Sequence, residues 1–257
     1  MNKNIIWHEI FNNKNFFYTK NSKKLKKSNY SYYSFNLLKI IYPELTYVKF
    51  RSIIKFMENI LGVKKKNLML DFGSGNGAFL NYFIAKYNLK NNFSFEISHP
   101  LINFQKKIIK RTNFYQTHHS NLKVFEKINN QIIVDYSISN SVFQYFYSNS
   151  YCFKVLDFLI GSTKNKIFIY DIKDSNKRRA YKEQVRLRQN LSRTQFNNKY
   201  KNTPIRYYTK KFFIRILKKI KKKYNFNYEF ISLPLSATES KFGYCLLIKK
   251  YLSNYEK

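Results

Sequence analysis

An aspartate followed by three glycines at alternate positions, Asp71-Phe72-Gly73-Ser74-Gly75-Asn76-Gly77, is the stretch of this chain best suited to hold a ligand. Glycine adopts positive φ freely and has no Cβ, so a ligand can lie directly on the backbone. A helical pattern resumes at Ala78, and the unpaired N–H groups of its first turn would face the same ligand. The carboxylate of Asp71 suits ribose hydroxyls or a cationic group. Four other places hold residues of chemical interest: Glu96, the His118-His119-Ser120 loop, Ser139–Asn140, and Asp171. His118, His119 and Asp171 are the candidate proton acceptors. Each has an inert counterpart reading, as a solvated loop histidine or as a carboxylate that caps the following turn.

These residues need a scaffold that carries them to one edge. Residues 68–70 form a short apolar strand that ends in Asp71, and 78–87 read as a helix with Phe79, Leu80, Phe83 and Ile84 on its inner face. Residues 93–97 predict a second strand ending near Glu96, and Pro100 announces a helix over 101–109. Strands follow at 114–116, 132–139 and 166–172, with a helix over 151–159 that Gly161 should end. An amphipathic helix over 209–223 precedes two strands, 228–233 and 242–248, with no helix between them. Such an order predicts an α/β fold: a doubly wound, mostly parallel seven-stranded sheet that ends in an antiparallel hairpin. Ligands in these sheets bind outside the carboxyl ends of the strands. All the residues singled out above fall on that edge.

Residues 1–49 read as an N-terminal extension and lid, 50–250 as the main domain, and 174–205 as a charged helical insertion. Ile53, Ile54, Met57, Ile60 and Leu61 predict one face of a helix leading into the glycine strand, stopped by Gly62. Hydrophobic and aromatic contents of 44% and 19% exclude a disordered chain. No apolar run reaches the roughly 18 residues of a membrane span, and the first 17 residues lack the core of a signal peptide. A cytoplasmic location is the expectation. Cys152 and Cys245 lie far apart in apolar segments without ligand neighbours, so buried free thiols and no metal site are expected.

The 48 basic residues against 14 acidic give a formal charge of +34. The lysines are scattered and accompany many asparagines, isoleucines and tyrosines, a bias that AT-rich coding also produces. Weak, non-specific attraction to polyanions follows in either case.

The set of motifs resembles the class I S-adenosylmethionine-dependent methyltransferases, with a Rossmann-like sheet. Residues 71–77 match that family's Asp-x-Gly-x-Gly-x-Gly turn, and Glu96 lies 25 positions after Asp71, where the family carries a ribose-binding acid. The resemblance covers about residues 50–250. It implies S-adenosylmethionine as cofactor, held by Asp71, Gly73, Ser74, Gly75, Gly77, Glu96, Ile97, Thr117, His118, Ser139 and Asn140. Glu96 would accept both ribose hydroxyls, Ile97 would pack on the adenine, and Ser139 and Asn140 would line the methyl-bearing end. Where the family places a histidine after the fourth strand, this chain has Gln144. A nicotinamide dinucleotide site is the competing reading of the glycine turn. The expected acceptor is a small molecule methylated on oxygen or nitrogen. An RNA methyltransferase and a catalytically inactive binding protein of the same fold are the alternatives.

Overall fold

The computed structural model describes residues 30–42, 44–117, 125, 128, 131–201, 205–234 and 240–251. Strands β1 (Met69–Phe72), β2 (Asn92–Glu96), β3 (Thr112–Gln116), β4 (Val134–Asn140), β5 (Thr163–Lys173), β6 (Phe226–Ser232) and β7 (Gly243–Lys250) form one sheet. Their spatial order is β3-β2-β1-β4-β5-β7-β6. The first five pair in parallel, and β7 runs antiparallel to both β5 and β6. This is the expected fold class. The order reverses direction at β1, between β2 and β4, which is where doubly wound sheets place their ligand crevice.

All four residues of β1 are buried, because helices cover both faces of the sheet. Strand alternation divides the core into two. Leu70, Phe72, Ile167 and Ile169 face helices α5 (Asn149–Ser162) and α8 (Lys210–Ile220). Met69, Ile138, Phe168 and Tyr170 face α1 (Tyr30–Ile41), α2 (Tyr47–Leu61) and α3 (Ala78–Tyr87). Helix α4 (His99–Ile108) covers the β2 side, with Ser98 as its N-cap.

Local signals explain most boundaries. Thr46 accepts from the Lys49 N–H at the start of α2, and Gly62 closes its end at φ 67°. Thr209 caps α8 in the same way. Helix α5 differs from expectation, because it runs through Gly161 to Ser162. Ile160 and Ser162 are fully buried, and the Thr163 hydroxyl donates to the Leu159 carbonyl at 2.7 Å, so the last turn is held by packing and a local bond. Helix α1 lies within the stretch expected to form the N-terminal extension. Leu37 and Leu38 anchor it against Phe50 and Phe79 in the core. The insertion folds as α6 (Arg178–Arg188) and α7 (Arg193–Tyr200), which bury only Val185 and Phe196.

Cys152 and Cys245 are buried free thiols. No helix among the described residues is long and apolar enough to cross a membrane.

Candidate active site

The chain leaves β1 at Phe72 and turns through Gly73, Gly75 and Gly77 at φ 74°, 58° and 78°. L-residues rarely adopt these angles, and a Cβ at Gly73 would also collide with the Val142 side chain. The N–H groups of Gly73 and Ser74 donate to the Phe95 carbonyl, at 2.7 and 3.1 Å, and tie the turn to β2. A closed ring of side chains supports it from below. Ser74 Oγ lies 2.7 Å from Ser94 Oγ, Ser94 Oγ donates to Gln105 Oε1 at 2.7 Å, and Gln105 Nε2 donates to Ser74 Oγ at 2.9 Å. Gln105 Nε2 also reaches the Gly75 carbonyl at 2.6 Å. Above the turn, Asn76 Nδ2 donates to the Leu37 carbonyl, and Asn81 Nδ2 to Ser34 Oγ at 2.9 Å. The glycine turn therefore carries helix α1 as well.

A cavity of about 300 Å³ opens beside this turn. Asp71, Gly73, Ser74, Gly75, Glu96, Ile97, Thr117 and Asn140 line it, together with Leu38, Tyr42 and Phe79 overhead and Tyr151. Gly77 lies outside the lining and serves as the N-cap of α3. Ser139 also lies outside it, contrary to expectation. Its hydroxyl donates to the Phe72 carbonyl at 2.9 Å and clamps β4 to β1, while Asn140 and Ser141 reach the cavity instead. His118 and His119 lie outside the described residues.

Glu96 is buried and does more than face a ligand. Its Oε2 accepts from Gly75 N at 2.7 Å, and its Oε1 accepts from Ile97 N at 2.8 Å and Ser98 N at 3.0 Å. Three of a carboxylate's roughly four acceptor positions are thereby filled. The expected two-hydroxyl grip needs at least one of these amides to let go. Burial raises the Glu96 pKa, and the three N–H groups oppose that rise.

Asp71 is equally buried, and no donor among the described residues reaches its carboxylate. Burial, followed by the charge of Glu96, pushes its pKa up to about 8. Both effects favour the neutral acid until a cation or donor arrives.

A second cavity, of about 280 Å³, adjoins the first across Asn140 and Ser141. Asp171 lines it, accepting from Ser141 Oγ at 2.7 Å and from Lys173 Nζ at 3.0 and 3.2 Å. The pairing of β5 with β7 shifts register between Ile169 and Ile172, so a bulge aims Asp171 out of the strand. Asp171 sits at φ 60° and Ser141 at φ 56°, conformations that cost non-glycine residues roughly 1–3 kcal/mol each. Gly243 is needed opposite the bulge, because a Cβ there would lie 2.8 Å from the Ile172 carbonyl. From the insertion, Tyr181 and Arg188 reach this cavity. The sequence reading missed Leu38, Tyr42, Tyr145 and Tyr151 as walls.

A glycine turn at the sheet's reversal point, a buried acid at the end of β2 and a closing antiparallel hairpin occur together here. The fold is that of the class I S-adenosylmethionine-dependent methyltransferases. The plantazolicin methyltransferase BpumL, solved with a pentazolic desmethylPZN analog and SAH, superposes with a TM-score of 0.57 at 15% identity, over 85% of this chain and 90% of that one. Magnesium protoporphyrin IX methyltransferase (ChlM) from Synechocystis PCC 6803, with bound SAH, gives 0.53 at 10% identity over 90% and 100%. The small RNA methyltransferase HEN1 gives 0.54 at 15% identity, and the match covers 79% of this chain but 25% of that one. No family model matches the sequence, and no curated protein matches it either. The methyltransferase fold is thus visible in three dimensions where sequence similarity is low.

Proposed function

We propose that this chain is an S-adenosylmethionine-dependent methyltransferase acting on a small-molecule acceptor at oxygen or nitrogen. The observation that carries this reading is the meeting of two cavities at Asn140 and Ser141, one beside the glycine turn and one beside Asp171. Asp71 supports the cofactor assignment: a buried carboxylate in the cavity wall, without a donor among the described residues, suits an ammonium group. Glu96 and the glycine turn suit a ribose and a chain lying against the backbone. When bound, S-adenosylmethionine supplies a methyl group on a sulfonium, which leaves readily.

The residues of this chain then have modest work. They align the acceptor in line with the methyl and keep water out. Leu38, Tyr42 and Phe79 roof both cavities, and the first two support a lid role for residues 1–49. Asp171 is the proton acceptor for a hydroxyl or amine, after releasing Ser141 or Lys173; His118 and His119 are the other candidates. BpumL and ChlM, both solved with SAH, support a small-molecule substrate by analogy of fold.

The formal charge of +34 favours RNA as the second reading, with HEN1 as its structural counterpart. Steeply salt-dependent binding of RNA would decide for it. The test of the main reading is calorimetric titration with S-adenosylmethionine. Micromolar affinity is expected, and no heat at millimolar ligand would sink it and favour an inactive binding protein.

A further inference from the structure

The acceptor's chemistry can be read from the second cavity, an inference that rests on the methyltransferase reading. Asn140 Oδ1, Gln144 Oε1 and the Tyr170 hydroxyl are buried without a hydrogen-bond partner among the described residues, and all three residues line this cavity. Gln144 is 3% and Tyr170 5% exposed, so bulk water does not satisfy them. Buried polar atoms are almost always partnered, and those that are not call for an explanation. A ligand that brings donors supplies one.

Charge narrows the ligand. The cavity's charged lining is balanced, with Glu44 and Asp171 against Lys173 and Arg188, and Asp171 pairs with Lys173 at 3.0 Å. The charged pair beside the junction is therefore already satisfied and does not select a charged ligand. Shape narrows it further, because Phe79, Tyr145 and Tyr181 present aromatic walls, and flat rings stack well on such walls. The volume of about 280 Å³ suits one ring or two fused rings. Asn140 lines both cavities, so a donor bound at its oxygen lies at the junction with the cofactor cavity. The strained Ser141 and Asp171, at φ 56° and 60°, flank the same junction.

We infer that the second cavity binds an uncharged, planar aromatic ring carrying at least two O–H or N–H donors, of the dihydroxybenzene or aminophenol class. The donors fill the unpartnered oxygens of Asn140 and Gln144, with Tyr170 as a third contact that can give or accept.

The experiment begins with a calorimetric titration of the full chain with S-adenosylhomocysteine. Saturation-transfer NMR on the loaded protein then compares catechol, resorcinol and 2-aminophenol with 1,2-dimethoxybenzene and benzoate. At least one donor ring should bind about 10-fold more tightly than 1,2-dimethoxybenzene and benzoate. Gln144→Leu should reduce that preference about 3- to 10-fold while S-adenosylhomocysteine affinity stays unchanged. Tyr170→Phe, which removes only a hydroxyl from a packed ring, keeps the test open if Gln144→Leu fails to fold, and should have a smaller effect of the same sign. Bound S-adenosylhomocysteine without binding of any donor ring, or with equal binding of 1,2-dimethoxybenzene or benzoate, overturns the inference alone. No S-adenosylhomocysteine binding overturns the methyltransferase reading, and this inference with it.

Discussion

Around the glycine turn the polar groups satisfy one another, whereas in the adjoining cavity three buried oxygens have no partner among the described residues. Ser74, Ser94 and Gln105 close a hydrogen-bonded ring, and Glu96 collects three backbone amides. Across Asn140 and Ser141 lie three unpartnered oxygens and two non-glycine residues at positive φ. The first region is preorganised by its own bonds, which suits a ligand that never varies. The second leaves bonds for its ligand to complete, which suits selection of one acceptor. Asp71 is the exception that joins them, a carboxyl on the satisfied side that waits for a partner.

Glu96→Ala is the most direct way to break this contrast. If Glu96 both holds the turn and contacts the cofactor, S-adenosylmethionine affinity should fall by about 100-fold, and stability by about 2–3 kcal/mol from three orphaned amides. Calorimetry and urea unfolding read the two effects separately. Loss of affinity with stability intact would show that the amides find other acceptors.

Asp71 sharpens the contrast through pH. Its pKa is raised to about 8, above its ordinary carboxylate value, so the folded state binds a proton that the unfolded state has lost. That contribution to stability is full below about pH 4 and fades as pH rises toward about 8. Asp71→Asn should therefore flatten the decline in unfolding free energy over that window by on the order of a few kcal/mol. The same variant should abolish a maximum in cofactor affinity near pH 8, where the carboxylate has begun to ionise while the cofactor's α-amino group, with a pKa of about 7.7–8.0, is still partly charged. A pH profile identical to that of the parent protein would refute the protonated state.

Gln105→Leu tests whether the ring of side chains preorganises the turn. Leaving Ser74, Ser94 and the Gly75 carbonyl short of a partner should cost about 1–3 kcal/mol, with weaker cofactor binding in proportion. Asn76→Ala should act more gently. Loss of its bond to the Leu37 carbonyl should cost about 1 kcal/mol and speed amide exchange across α1 more than across the sheet. Uniform exchange would mean that α1 is held by Leu37 and Leu38 packing and the Asn81–Ser34 bond.

The fold was legible in the chain because strands, glycine turn and helices alternate with clear punctuation. The helix expected over 78–87 spans Ala78–Tyr87, and the closing hairpin follows from two apolar strands with no crossover helix expected between them. Gly161 misled, since a glycine ends a helix only where packing lets it. Ser139 misled for a related reason: alternation fixes which residues of a strand share a face, but not whether a hydroxyl turns to a neighbouring carbonyl or to a cavity.

What the sequence determined by itself is the local chemistry of residues 71–77, with an acid at Glu96 in reach of it, because turn conformation and strand order depend on near neighbours. What only the tertiary structure decided is how those groups are spent. Glu96 is occupied by amides from its own loop and from the glycine turn, 21 residues away. Helix α1 roofs the site through bonds from Asn76 and Asn81. The second cavity exists because the bulge at Asp171 meets Ser141 at the end of a neighbouring strand. Such pairings rest on contacts between segments distant in the chain, and no local pattern of residue types encodes them.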